Sequence, residues 1–398
     1  MIASHEHQQG PRRIVYVVNV SWFFISHRLQ LARAALAAGY EVHVATSVAS
    51  LADAERIRAS GITLHDVPIG RADTGLLYDL RTIVVLTELF RRLRPDLVHL
   101  VAMKAVAFGG IAARIARVPG VVIAIAGLGT GFASEGGFRA SARRHLLTLL
   151  LRVAIPRQGS RVIFQNDEDM RVLVENGVVL RSSARLIPGA GVDLAEFRKL
   201  PPPPPPVRVI LPARMLREKG VVVFAEAARR LREAHPTARF LLAGDLDPAN
   251  PGSLTRAEID ALTRATDNVA WLGHVDDMPA LLAACHVVCL PTWYGEGIPK
   301  ALIEGAAAGR PLVTTDIPGC RDICADGVNG LLVPARNVEA LTAALHQLLA
   351  DDRLRATLGD AGPARVADRF SLQAIVRMTL EVYGDCLTGR TRPTGPHA

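Results

Sequence analysis

The chain has 398 residues, of which 49% are hydrophobic and 21% charged, and a formal net charge of +8. That length suits two domains better than one, and the composition excludes a disordered or collagen-like chain. No uncharged run reaches the ~18–20 residues that span a bilayer, and the first ten residues hold no apolar signal segment, so a cytoplasmic protein is expected.

The first half alternates strand and helix signals. Apolar runs at 13–19, 41–46, 62–69, 97–102, 121–126 and 161–165 have the length of buried strands, with helical stretches between them. After the first run come the aromatic cluster Trp22-Phe23-Phe24 and a helix expected over 24–38, ended by Gly39. Ser26, His27 and Arg28 open that helix, where they could contact a substrate or polarise its hydroxyl, or simply cap the helix and charge the surface.

The run at 121–126 leads into Gly127-Leu-Gly-Thr-Gly131. This is G-x-G-x-G rather than G-x-G-x-x-G. It follows the fifth strand, and no acid lies about 20 residues on to hold a ribose. A loop facing a cleft is expected there, not a dinucleotide site. The following segment, 139–156, mixes arginines with Leu146-Leu-Thr-Leu-Leu-Leu151. It is too short to span a membrane, and suits either an interfacial helix or one packed within the domain.

Residues 1–200 carry 25 Lys and Arg against 16 Asp and Glu, so the whole basic excess lies in the first half. It is sharpest over 101–160, where Lys104, Arg114, Arg117, Arg139, Arg143, Arg144, Arg152 and Arg157 face only Glu135. A one-sided patch of this kind implies an anionic partner, such as a membrane surface.

Six prolines, Pro201 to Pro206, then form a semi-rigid spacer of ~19 Å with nothing to pack. The domain boundary is placed there: a first domain over 1–200, a linker over 201–206, a second domain over 207–370 and a C-terminal helix and tail over 371–398. Strands are expected at 207–211, 239–243, 269–272, 286–290, 312–315 and 331–333. Helices follow from the pattern at 221–234, 254–265, 278–284, 337–350, 352–368 and 372–387. Runs buried on both faces and separated by helices indicate parallel sheets, so the expected fold is α/β: two doubly wound Rossmann-like domains facing a cleft.

Three motifs lie in the second half. Arg214 and Lys219 follow its first strand, at the end where cations can grip a diphosphate. Asp245-Leu-Asp247 has the form of a D-x-D metal motif, but that pair is common by chance, and no metal or other cofactor is expected. The stretch from Tyr294 to Gly309 reads as a loop and then a helix with Pro299 at its first position and Gly309 at its stop. Glu296 lies in the loop between Gly295 and Gly297, and Glu304 about 1.5 turns into the helix. A helix N-terminus favours phosphate. An acid in that place suits hydroxyls beside a phosphate, and a nucleotide-sugar offers both. The five cysteines have no zinc-type spacing and are expected to be reduced structural thiols.

Glu296 and Glu304, with Arg214 and Lys219 upstream, resemble the retaining glycosyltransferases of family 4, which have the GT-B fold; the likeness spans nearly the whole chain. Residues 22–29, Met103-Lys104, 126–129, 276–279 and 318–321 look like the branch that builds O-antigen, capsule or exopolysaccharide repeats. That resemblance implies transfer of a sugar from a UDP-sugar onto a polyprenyl-diphosphate-linked glycan at the inner face of the cell membrane, with no nucleic-acid partner. It implies that Arg214 and Lys219 neutralise the leaving diphosphate. Glu296, with the loop Gly295, Gly297, Ile298 and Pro299, would hold the donor sugar, and Glu304 the ribose. Ser26, His27, Arg28, Lys104 and Gly127 would lie on the acceptor side, and the last helix would cross back to the first domain. Many members carry a His after the fifth strand where this chain has Ala126-Gly127. The leaving phosphate is therefore expected to help deprotonate the acceptor, with the protein supplying charge stabilisation and positioning. A nucleotide-sugar epimerase on the same fold, and a non-catalytic binder of anionic lipid or nucleic acid, are the alternatives.

Overall fold

A computed structural model of the chain describes residues 11–70, 75–128, 138–156, 159–293 and 295–388. Gly129 to Gly131, Glu135, Arg157 and Tyr294, and the side chains of Arg139, Arg143 and Arg144, lie outside the described residues.

The first sheet is built from β1 (Arg13–Val20), β2 (Glu41–Ser47), β3 (Thr63–Asp66), β4 (Leu97–Val101), β5 (Gly120–Ile125), β6 (Ser160–Phe164) and β7 (Ala184–Leu186). Its order is β3-β2-β1-β4-β5-β6-β7 and every pairing is parallel. Ile14 to Val18 are wholly buried, as a central parallel strand covered by helices on both faces requires. The run at 62–69 yields only a four-residue edge strand, since Pro68 can donate nothing to a ladder. β7, three residues long, is too short to show a period and was not expected.

The second sheet comprises β8 (Arg208–Pro212), β9 (Arg239–Ala243), β10 (Val269–Trp271), β11 (Val287–Leu290), β12 (Leu312–Thr315) and β13 (Gly330–Val333). Its order is β10-β9-β8-β11-β12-β13, again all parallel. The two sheets reverse their order at β1/β4 and at β8/β11. Ligands of such sheets bind outside the strand carboxyl ends at these switch points.

Two expected helices differ in detail. The helix over 24–38 is two helices, Ser21–His27 and Leu29–Ala37, broken at Arg28 (φ −131°). The helix before Gly309 runs Lys300–Ala307, and Pro299 is its N-cap with ψ 119° rather than its first helical residue. Its N-terminus is reshaped because the two residues before Pro299 are held from outside. All five cysteines are free and buried.

Val192 and Phe197 already bury with the core of the second sheet, so the chain crosses over before the proline run. We place the passage near 187–191. The return is the helix Leu372–Leu387, which buries Ile375, Val382 and Tyr383 with Ile14, Tyr16 and Ile163 of the first sheet. The two crossings lie side by side. The Val192 N–H donates to Phe370 O at 3.0 Å, and the Leu372 N–H to Val192 O at 2.8 Å.

Candidate active site

Arg214 follows β8, and the chain then makes a short 3-10 turn, Arg217–Lys219, closed by Gly220 at φ +80°. Only glycine fits here, because a Cβ would strike the Pro291 carbonyl in the loop leaving β11. This close approach sets the two loops together. The Trp293 N–H donates to Glu218 O at 3.0 Å. Lys219 Nζ then donates to Glu296 Oε2 at 2.6 Å, and the Thr292 hydroxyl lies 2.8 Å from Glu296 Oε1. The pair is largely shielded, with side-chain exposures of 16% for Lys219 and 13% for Glu296. A carboxylate has about four acceptor positions, so Glu296 keeps capacity for sugar hydroxyls beyond these two contacts.

Arg214 is ion-paired with Asp247, and its guanidinium lies 5.4 Å from the ring of Trp22 in the first domain. The second acid of the D-x-D motif is thereby taken by an arginine, while Asp245 Oδ2 lies 3.4 Å from His274 Nδ1.

The first domain meets the Glu296 loop through its backbone. Gly127, at φ +106°, packs so closely that a Cβ there would lie 2.5 Å from Gly295 O and 2.6 Å from Gly297 N. The Gly297 N–H donates to Ala126 O at 3.1 Å, and the Ile298 N–H to Gln165 Oε1 at 2.8 Å. From the far side Gly319 presses on the Gly297 carbonyl. The Gly297 and Ile298 N–H groups, which the family resemblance would turn toward a donor sugar, are both taken by the first domain. Gly127, expected on the acceptor side, packs against the backbone of the Glu296 loop.

Gln165 was missed altogether. No motif marks it, and its one signal is a polar residue at the carboxyl end of a buried strand. Gln165→Ala leaves a buried N–H unpaired, at a cost of ~1–3 kcal/mol. We expect donor kcat/KM to fall by about tenfold, the kinetic equivalent of ~1.4 kcal/mol. Gln165→Glu, which keeps the accepting oxygen, should restore most of it. Steady-state kinetics of the two variants make the check.

Glu304 is 8% exposed, and Lys300 Nζ sits 2.6 Å from its Oε1. Burial raises its pKa, and the Lys300 ammonium opposes the rise.

The remaining expected residues divide. His27 is half-buried, stacks on Phe23 at 4.2 Å and has Nδ1 2.7 Å from Ser26 Oγ. Burial, followed by the charges of Lys300, Arg28 and Lys219, holds its pKa well below the ordinary value. His27 is thus a neutral imidazole beside the cationic side of the site. Ser26 is exposed. Arg28, expected on the acceptor side, is instead 94% buried beneath the C-terminal helix (6% exposed), because the helix break turns it inward. Lys104 donates to Gly70 O at 3.0 Å and lies over Tyr78, which ties it to the loop ahead of the helix Leu76–Leu93.

The chain resembles known proteins over both of its domains. The family described as "Glycosyl transferase 4-like" matches residues 13–166, and that described as "Glycosyl transferases group 1" matches residues 206–351. The chain is 26% identical over 343 residues to the N,N'-diacetylbacillosaminyl-diphospho-undecaprenol alpha-1,3-N-acetylgalactosaminyltransferase of Campylobacter jejuni, covering 83% of this chain and 87% of that protein. It is 25% identical over 337 residues to the Escherichia coli UDP-Gal:alpha-D-GlcNAc-diphosphoundecaprenol alpha-1,3-galactosyltransferase, covering 81% and 84%. Among solved structures, Anabaena HepE in complex with UDP superimposes with a TM-score of 0.73 at 18% identity, covering 94% of this chain and all of that one. At that identity the likeness speaks for the fold, two Rossmann-like domains in the GT-B arrangement.

Proposed function

We propose that this chain, which belongs to the two-domain glycosyltransferases of the group 1 and 4-like types, moves a sugar from a UDP-sugar to a polyprenyl-diphosphate-linked sugar, with retention, in cell-surface polysaccharide synthesis. The observation that carries the reading is the meeting of Lys219 and Glu296 at the carboxyl ends of β8 and β11, against the backbone of the first domain. Binding a nucleotide-sugar exchanges partners within that pair. Lys219 and Arg214 take the diphosphate, and Glu296 turns to sugar hydroxyls. The bond from C1 to the diphosphate oxygen then breaks and the acceptor oxygen bonds C1 on the same face. The acceptor proton passes to the departing phosphate. The names of both relatives describe α-1,3 transfer to diphospho-undecaprenol-linked sugars, which supports the acceptor class; one of them names UDP-Gal, whose sugar is α-linked, and an α product from such a donor is retention.

The test is UDP release from a panel of UDP-sugars, with and without a polyprenyl-diphosphate-sugar. Release that depends on the acceptor is expected. Conversion of a UDP-sugar with no acceptor present would instead identify an epimerase.

Glu304 is assigned to the ribose. Its raised pKa means that it protonates at a higher pH than an ordinary Glu and then loses its acceptor role. Donor KM should therefore rise on acidification, starting above the usual carboxylate range. Glu304→Gln should raise KM at all pH values and flatten that dependence.

For the lipid-linked substrate we propose that the first domain rests on the membrane surface. Among the described residues, no helix is long and apolar enough to cross a membrane. The helix Leu76–Leu93 exposes Leu77, Leu80 and Val84, and the helix Phe138–Ala154 exposes Leu146, Leu149 and Val153. Both sets follow the i, i+3, i+7 spacing of one helical stripe. The helix Gly110–Ile115 packs against both, and Arg81, Arg114 and Arg117 lie exposed beside the stripes. Apolar side chains edged by arginines suit an anionic headgroup layer. Leu146→Asp should weaken co-sedimentation with phosphatidylglycerol vesicles and leave turnover of a short, water-soluble acceptor analogue unchanged.

A further inference from the structure

A cavity of about 20 Å³ lies between the first sheet and the C-terminal helix, lined among others by His27, Arg28, His99, Gln165 and Thr379. It exceeds the ~10–15 Å³ that one water needs. Arg28 is 6% exposed and His99 1%. Among the described residues, no Asp or Glu lines the cavity. Among the described residues, Arg28 Nε and His99 Nε2 are buried with no hydrogen-bond partner.

The protons can be placed. Tyr16 OH lies 2.8 Å from Tyr383 OH, which lies 2.6 Å from His99 Nδ1. If the hydroxyls donate in the direction Tyr16 to Tyr383 to His99, each finds an acceptor, and His99 carries its proton on Nε2. Both orphan atoms are then N–H donors. Gln165 gives its oxygen to Ile298, so what it can add to the cavity is a further N–H.

The charge balance points the same way. Burial keeps the phenols of Tyr16 and Tyr383 protonated and the His99 imidazole neutral. Among the described residues Arg28 is therefore a guanidinium without a counter-charge, and a buried charge of that kind is costly unless paired. Water would solvate it but leave the charge in place. An anion would solvate and neutralise it together.

We infer that this cavity is a binding site for one halide-sized monovalent anion, held by the N–H groups of Arg28 and His99 beneath the C-terminal helix. The site shares the Gln165–Ile298 hydrogen bond with the Glu296 loop, but it needs no role of that loop in sugar transfer.

The experiment uses the full chain with bromide and chloride as probes. Crystals soaked in sodium bromide should show one anomalous peak within hydrogen-bond reach of Arg28 Nε and His99 Nε2. In solution, the ³⁵Cl resonance should broaden on adding wild-type protein, and Arg28→Met should abolish that broadening. Should Arg28→Met fail to fold, Ala124→Val, which fills the cavity from β5, and His99→Phe must each reduce it. An ordered water with no anomalous signal at the site would overturn the inference. So would broadening that persists in every folded variant, which marks adventitious surface binding.

Discussion

Lys219→Ala is expected to lower kcat by about 10²-fold, the scale of losing one preorganised charge-stabilising group. Two effects add. The developing charge on the leaving diphosphate loses an ammonium aimed at it from the turn after β8. In the resting enzyme, Glu296 also loses the partner 2.6 Å from its Oε2, and a carboxylate at 13% exposure is left with the Thr292 hydroxyl alone. An unpaired, poorly solvated carboxylate repels the donor diphosphate. Lys219→Arg keeps the charge but has a planar head where a compact ammonium stood, so partial activity is expected. The check is single-turnover kinetics with saturating donor, which separates the chemical step from binding. Turnover of Lys219→Ala equal to the wild type would remove Lys219 from the diphosphate site.

Gly319→Ala should be comparably damaging by a different route. A Cβ at this position would fall on the Gly297 carbonyl, with the Glu296 carbonyl 3.1 Å away. Neither neighbour is a flexible side-chain end. The donor loop cannot back away, because Gly127 and Ala126 stand against its other side. The loop must shift by an ångström or so, and a misplacement of that size costs about 10²-fold in rate. Because the strain is local, the thermal midpoint should fall by only a few degrees, as for ~1 kcal/mol in a chain of this size. A normal kcat in Gly319→Ala would mean that the loop is softer than its packing indicates.

Much of the fold was legible because parallel strands buried on both faces write themselves as runs such as Ile14 to Val18 and Val287 to Leu290. What was lost lay where that pattern thins. β7 has three residues, and the break at Arg28 changes no apolar spacing. Within the site, Lys219 and Glu296 could be assigned to one site from the sequence because each stands at a strand end of one domain, though their direct ion pair was not expected. Gln165 could not, since its partner is a backbone N–H 133 residues away in the other domain. Contacts to main chain leave no chemical signature in the partner residue. Arg28 was misread for a related reason. A charged residue at a helix start reads as exposed, and only the burial of Tyr16, His99 and Tyr383 around one another shows that the interior there is polar.

The side-by-side crossings at Val192 and Leu372 have a consequence for how such enzymes can be recombined. With the last helix buried against β1 and β5, the first domain is two separated lengths of chain, and the second domain is an insertion between them. Cutting the gene at the proline run alone would strand that helix on the wrong partner and uncover Tyr16 and its neighbours. A chimera that exchanges the donor-binding half should therefore have two junctions, at about residues 191 and 371. Val192 and Leu372 are hydrogen-bonded there, so the graft would be attached at a single spot on the surface of its host.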